Sequence, residues 1–145
     1  MTTPTIDEKI EKLRTACAER GMRVTPQRIE IYKYVAGSCE HPSAETVFEA
    51  IKQHMPNVSI DTVYRTLTSL EELGMVFRVD NQLPKARFDA DLTPHHHFLC
   101  IECGEVYDIF PEKKYDIQIP REAHSFGVVK DANLQIRGVC KKCLK

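Results

Sequence analysis

The sequence predicts an α+β protein in two parts, a winged helix-turn-helix over residues 1–90 and a small α/β domain with a four-cysteine zinc site over residues 91–145. Three observations carry that prediction. Apolar residues keep helical spacing up to Leu73, strand-like patterns take over after His95, and four of the six cysteines fall into two Cys-x-x-Cys pairs.

Ile6, Ile10, Leu13 and Cys17 share one helical face, and Gly21 ends that first helix. Thr25-Pro26 supplies an N-cap and a first-turn proline for a second helix carrying Ile29, Tyr32 and Val35, closed by Gly37. Ser43 caps a third, with Ala44, Val47, Phe48 and Ile51 inward, and Pro56-Asn57 makes the following turn. The fourth is capped by Ser59 and stopped by Gly74. It turns Val63, Leu67 and Leu70 to the core and Asp61, Tyr64, Arg65 and Thr68 outward. Met75–Val79 and Ala86–Asp89 read as two strands about a turn at Asp80–Pro84, so the last three helices acquire a wing. A short helix, a turn and a second helix with a Tyr/Arg-bearing outer face is the layout that enters a DNA major groove. Amphipathic helix pairs are common, so this layout alone leaves DNA binding one reading among several.

Past a boundary near Asp91–Pro94, strands are expected at His97–Cys100, Glu105–Phe110 and Leu134–Val139, with a short helix opening at Pro120. Internal repeats and low-complexity stretches are absent from the sequence. With 145 residues, 42% hydrophobic and 28% charged, composition is that of a globular chain. Twenty Lys+Arg against 21 Asp+Glu give a formal charge of -1, which excludes a protein that coats nucleic acid through bulk positive charge. Any DNA binding must use local geometry. No apolar run approaches the ~18 residues of a membrane span, and Met1–Thr5 lacks the pattern of a signal peptide. The expectation is a cytoplasmic protein with no membrane partner.

Cys100/Cys103 and Cys140/Cys143 each have the spacing at which two thiolates reach one ion from a tight turn. Four thiolates closing a tetrahedron make a structural zinc site with no position left for substrate, clipping the ends of a domain too small to rely on its core. Cys17 reads as a small buried hydrophobe, and Cys39 is assigned no role. In Thr93-Pro-His-His-His97, an extended backbone sends His95 and His97 to one side and His96 to the other, where it is expected to be solvated. Asp89 and Asp108 offer carboxylates, and a mixed N/O set suits Fe(II) or Mn(II). Each has a plain alternative, a turn cap for Asp89 and a lysine partner for Asp108. An enzyme is not expected: a zinc hydrolase or deaminase needs an open metal position and a general-base Glu, whereas the cysteine site is full and no His-x-Glu precedes a Pro-Cys-x-x-Cys. A zinc-ribbon interaction module would account for Cys100–Cys143 but leave Arg23, Tyr64 and Arg65 without a role.

Gly21-Met-Arg-Val-Thr-Pro-Gln-Arg28, His41-Pro42, Ser59-Ile-Asp-Thr-Val-Tyr-Arg65, Ala86-Arg-Phe-Asp89, His95-His-His97 and both Cys-x-x-Cys pairs together resemble the ferric uptake regulator (Fur) family. That resemblance implies a winged-helix DNA-binding domain hinged to a dimerisation domain, and a homodimer that represses genes while a regulatory metal is bound. Carried over by position, it implies His41, Asp89, His95, His97 and Asp108 as ligands of regulatory Fe(II) or Mn(II), beside structural Zn(II) on Cys100, Cys103, Cys140 and Cys143. His41 is found only through the resemblance. Arg23, Ser59, Thr62, Tyr64, Arg65 and Thr68 are the residues expected to face double-stranded operator DNA.

Asp108 and the three-His, all-Asp ligand set resemble the family's peroxide-responsive (PerR) branch. There, bound Fe(II) reacts with hydrogen peroxide, the oxidant attacks His41 or His95, and repression ends. Peroxide would be the signal, with no other small-molecule substrate. Two departures keep open an iron- or manganese-responsive repressor without peroxide sensing: His96, and Arg65 after Tyr64 as in the iron-sensing branch. The stretch Tyr115–Phe126 also looks short for the family's second-domain helix.

Overall fold

The computed structural model describes residues 4–79, 85–93, 95–110 and 118–144, and it divides into two compact units, Met1–Leu92 and Thr93–Lys145. In the first unit lie α1 (Ile6–Glu19), α2 (Pro26–Ala36), α3 (Ala44–Ile51) and α4 (Ile60–Glu72). Each starts where a side-chain oxygen takes a backbone N–H that the helix itself cannot match. Thr5 and Glu8 form a reciprocal capping box, and Thr25, Ser43 and Ser59 accept from the N–H groups of Arg28, Thr46 and Thr62. After α4, Gly74 at φ +75° makes the left-handed turn that sends the chain into the wing.

Leu13 and Cys17 of α1, Ile31 and Val35 of α2, Val47 and Ile51 of α3, and Val63, Leu67 and Leu70 of α4 are buried in one cluster with Phe88. Each large aliphatic or aromatic side chain so placed contributes ~1.5–3 kcal/mol relative to an exposed one. Cys17 is wholly buried, and Cys39 is exposed. The wing consists of β1 (Phe77–Val79) and β2 (Arg87–Asp89), antiparallel with Phe77 opposite Asp89 and Arg78 opposite Phe88. The turn expected at Asp80–Pro84 falls outside the described residues. An isolated bridge between Ser43 and Arg87 ties β2 to the cap of α3.

In the second unit, β3 (His96–Cys100), β4 (Val106–Ile109), α5 (Arg121–Phe126) and β5 (Gln135–Gly138) follow in order. The sheet order is β4-β3-β5. β3 runs antiparallel to β4 and parallel to β5, with Cys100 opposite Gly138. Pro120 precedes α5 as its N-cap residue, and the start of the Tyr115–Phe126 stretch lies outside the described residues. The sheet and α5 leave Ile109, Phe126, Leu134 and Ile136 exposed.

One expectation is corrected here. His96 is buried rather than solvated, because the chain entering β5 covers its ring and the Leu134 N–H donates to its Nδ1 at 3.1 Å. Among the described residues no helix is long and apolar enough to cross a membrane.

Candidate metal centres and nucleic-acid face

The four-cysteine cluster is built from two turns. Cys100 ends β3, Cys103 follows in a turn closed by the Gly104 N–H to the Cys100 carbonyl at 3.0 Å, and Gly104 adopts φ +76°. Cys140 and Cys143 lie just past β5, where the Cys143 N–H reaches the Cys140 carbonyl at 3.0 Å. Because Cys100 and Gly138 are register partners, the ends of β3 and β5 bring the two turns together. The sulfurs stand 3.8 Å (Cys100–Cys143), 3.8 Å (Cys103–Cys140) and 3.6 Å (Cys140–Cys143) apart. Zinc at about 2.3 Å from each of four tetrahedral sulfurs requires edges of about 3.8 Å, so the cluster could hold zinc without rearrangement.

Electrostatics agree. Backbone N–H groups of Cys103 and Cys140 aimed at Cys100 lower its thiol to about 6. Hydrogen bonding to the Cys140 sulfur, then burial, pushes Cys143 up to about 12. Four sulfurs this close cannot all ionise unless a cation sits among them, and a divalent metal inverts that repulsion. Tyr107, which sequence reasoning missed, hydrogen bonds to the Cys140 sulfur and is itself pushed up to about 12.

The first unit offers a His/Asp pair. His41 Nε2 lies 3.3 Å from Asp89 Oδ2, with both side chains buried, and Asp89 Oδ1 accepts the Asp91 N–H at 2.8 Å. The second unit offers a His/His/Asp set. Register places His97 opposite Asp108, and His95 lies two residues before His97 on the same face. His97 Nε2 and His95 Nε2 stand 3.2 Å and 3.4 Å from Asp108 Oδ1. The two rings meet edge to face with centroids 4.6 Å apart, and His95 stacks on Phe110 at 5.2 Å.

The tautomer of His95 tests whether this set suits a cation. Its Nδ1 is 2.7 Å from the Thr93 carbonyl, which can only accept, so Nδ1 carries the hydrogen. A neutral ring then directs the Nε2 lone pair at the Asp108 carboxylate, acceptor against acceptor. Only a proton or a metal ion relieves that opposition, and a carbonyl on the far nitrogen is the usual support of a metal-bound histidine.

On the outer face of α4, Tyr64, Arg65 and Thr68 are exposed, as is Arg23 ahead of α2. Arg65 pairs with Asp61 at 3.1 Å, a contact so exposed that it contributes little to stability. Ser59 and Thr62 are engaged in capping, their hydroxyls 2.9 Å apart. Two neighbours of this face lay beyond sequence reasoning. Glu45 in the first turn of α3 accepts from the Tyr64 hydroxyl. Arg78 of β1 donates from Nε to both Glu71 carboxylate oxygens at 2.9 and 3.1 Å, and reaches Thr68 Oγ1 at 3.5 Å. Alternation along the wing strand hinted that Arg78 faces away from Phe77 and Val79, but not toward what.

Comparison with known proteins adds to this geometry. The sequence profile of the Ferric uptake regulator family matches residues 19–137. The chain is 31% identical over 139 residues to the peroxide-responsive repressor PerR of Staphylococcus epidermidis, covering 95% of this chain and 92% of that one. Its fold is similar to that of the Helicobacter pylori ferric uptake regulator Fur (TM-score 0.81, 23% identity, 100% of this chain and 98% of that one). It is also similar to PerR from Streptococcus pyogenes, a structure described as the basis for peroxide sensing and gene regulation (TM-score 0.53, 28% identity, 92% and 91% covered).

Proposed function

Because the chain belongs to the ferric uptake regulator family, we propose that it is a metal-dependent transcriptional repressor, binding operator DNA as a homodimer while a regulatory Fe(II) or Mn(II) is held and letting go when peroxide oxidises a histidine ligand. Zn(II) on Cys100, Cys103, Cys140 and Cys143 has a structural part in this reading. His41 and Asp89 contribute from the first unit, and His95, His97 and Asp108 from the second.

The observation that carries the proposal is the His95–Asp108 contact, a buried imidazole whose Nε2 is held on a carboxylate oxygen by the Thr93 carbonyl at its other nitrogen. Two imidazoles and a carboxylate that share one oxygen within 3.4 Å are a donor set of the kind that suits a divalent cation. A ligand set drawn from both units couples metal occupancy to the angle between them, and in a homodimer to the spacing of two recognition helices, which must match successive half-sites on the duplex. Support for the homodimer comes from the apolar side chains Ile109, Leu134 and Ile136, exposed on the strands and on the approach to β5 of the second unit. Relatives named peroxide-responsive repressors support the choice of signal.

Bound by these residues, Fe(II) would supply redox catalysis for a two-electron step in which the imidazole ring is the net electron donor and hydrogen peroxide the acceptor. In the net change one oxygen atom enters a ring C–H bond of His41 or His95, and the other leaves as water. The oxidised ring has lost basicity at nitrogen, so the two units lose their tie and the operator is released. Mass spectrometry of the Fe(II) protein after one equivalent of peroxide tests this, together with retention on an operator duplex. Oxygen addition on the peptides carrying His41 or His95 with loss of DNA is expected. An unmodified protein that keeps its DNA leaves an iron- or manganese-responsive repressor as the reading.

A further inference from the structure

Strand β2 grips residue 41 at both ends. Asp89 meets the His41 imidazole at 3.3 Å, while Arg87, two residues earlier on the same face of the strand, directs its guanidinium at the backbone of the loop that carries it. Arg87 Nε donates to the His41 carbonyl, and its Nη2 donates to the Glu40 carbonyl at 2.8 Å. Alongside, the Phe88 N–H donates to the Pro42 carbonyl at 3.0 Å, and Ser43 bridges to Arg87.

The loop needs this hold. His41 has φ +54° and, among the described residues, is the only non-glycine in the left-handed region, where its Cβ crowds the backbone. Pro42 narrows its options further, since a residue before proline prefers extended backbone. Left to itself, residue 41 would relax to negative φ and swing its ring away from Asp89. A forked guanidinium bonded to two successive carbonyls supplies the counterforce, and strain maintained at a buried histidine marks a functional position.

We infer that Arg87 is the positioning residue of the regulatory metal site, holding His41 in its strained conformation so that Nε2 and Asp89 present one preformed pair of donors. This rests on the reading of His41 as a metal ligand. Removal of such a support typically lowers metal affinity 10–100-fold.

The test titrates Mn(II) into the full-length, zinc-loaded protein and follows free Mn(II) by electron paramagnetic resonance. Arg87→Ala should weaken Mn(II) binding 10–100-fold with zinc content unchanged. Arg87→Lys, a point charge that cannot span two carbonyls, should fall between the two and carries the test if the alanine variant does not fold. His41→Ala should also weaken binding, and adding Arg87→Ala to it should cost nothing more, because Arg87 acts through residue 41. A merely structural arginine would give the same loss in both backgrounds, and that result overturns the inference. So does wild-type affinity in Arg87→Ala, or in Arg87→Lys should the alanine variant fail to fold. If His41→Ala leaves Mn(II) affinity untouched, the ligand reading of His41 falls and the inference falls with it. A weak His41→Ala beside an unaffected Arg87→Ala sinks the inference alone.

Discussion

His95 points Nε2 at Asp108 Oδ1 from 3.4 Å while the Thr93 carbonyl occupies its other ring nitrogen, so the Nδ1 hydrogen and the orientation of the ring are settled before any ligand arrives. Asp108 thereby serves two imidazoles, since His97 reaches the same oxygen at 3.2 Å.

Carboxylate length at 108 should separate metal binding from peroxide chemistry. Asp108→Glu still supplies an oxygen, but one methylene longer moves it relative to both rings and alters the coordination geometry. Metal-dependent operator retention is expected to survive, while oxygen addition to the His41 and His95 peptides falls several-fold. Equal oxidation of variant and wild type would remove Asp108 from that role.

The cysteine cluster should behave as a structural element. Cys143→Ser leaves three sulfurs, and the clip between the ends of β3 and β5 is lost. We expect the variant to lose zinc and second-unit structure, read by a zinc chelator dye and by circular dichroism. A folded, zinc-free variant with the mass of the unaltered protein in solution would contradict a structural role.

Tyr64 is exposed on α4, and its hydroxyl is held by Glu45, whose hydrogen bond raises the tyrosine above its ordinary value. The ring is thus held in one direction on the outer face of α4. Tyr64→Ala should weaken operator binding by ~1–3 kcal/mol, about five- to 160-fold, in a retardation assay, with zinc content and mass unchanged. Unaltered affinity would put the DNA face elsewhere.

Beneath that face, Leu67 is wholly buried in the helical core. Leu67→Ala removes its packing and leaves a cavity under α4, so the first unit should lose about 2–5 kcal/mol in urea unfolding. A loss below about 1 kcal/mol would mean that neighbouring side chains collapse into the space.

Much of the helical unit was legible because its signals are local. Ser43, Ser59, Thr25 and Gly74 sit within a few residues of the groups they cap or turn, and the Val63/Leu67/Leu70 stripe follows from the helical repeat alone. The four-cysteine cluster was equally readable, since two thiolates three residues apart need only a turn to meet. His96 was misjudged because alternation says which way a side chain points but not what covers it. Its cover is the chain at Leu134, brought in by a parallel pairing of β3 with β5 that nothing in either strand announces.

The sequence by itself determined where helices and strands lie, which cysteines can share an ion, and which His and Asp residues form a candidate set. Only the tertiary structure decided how those residues are held: Arg87 across 46 positions onto the His41 carbonyl, Glu45 across 19 onto Tyr64, and Thr93 and Asp108 on opposite sides of the His95 ring. The physical reason is range. Capping and periodicity are enforced within a turn or two of chain, whereas a carbonyl clamp or a chosen tautomer exists only once distant segments have packed and excluded the water that would otherwise satisfy the same atoms.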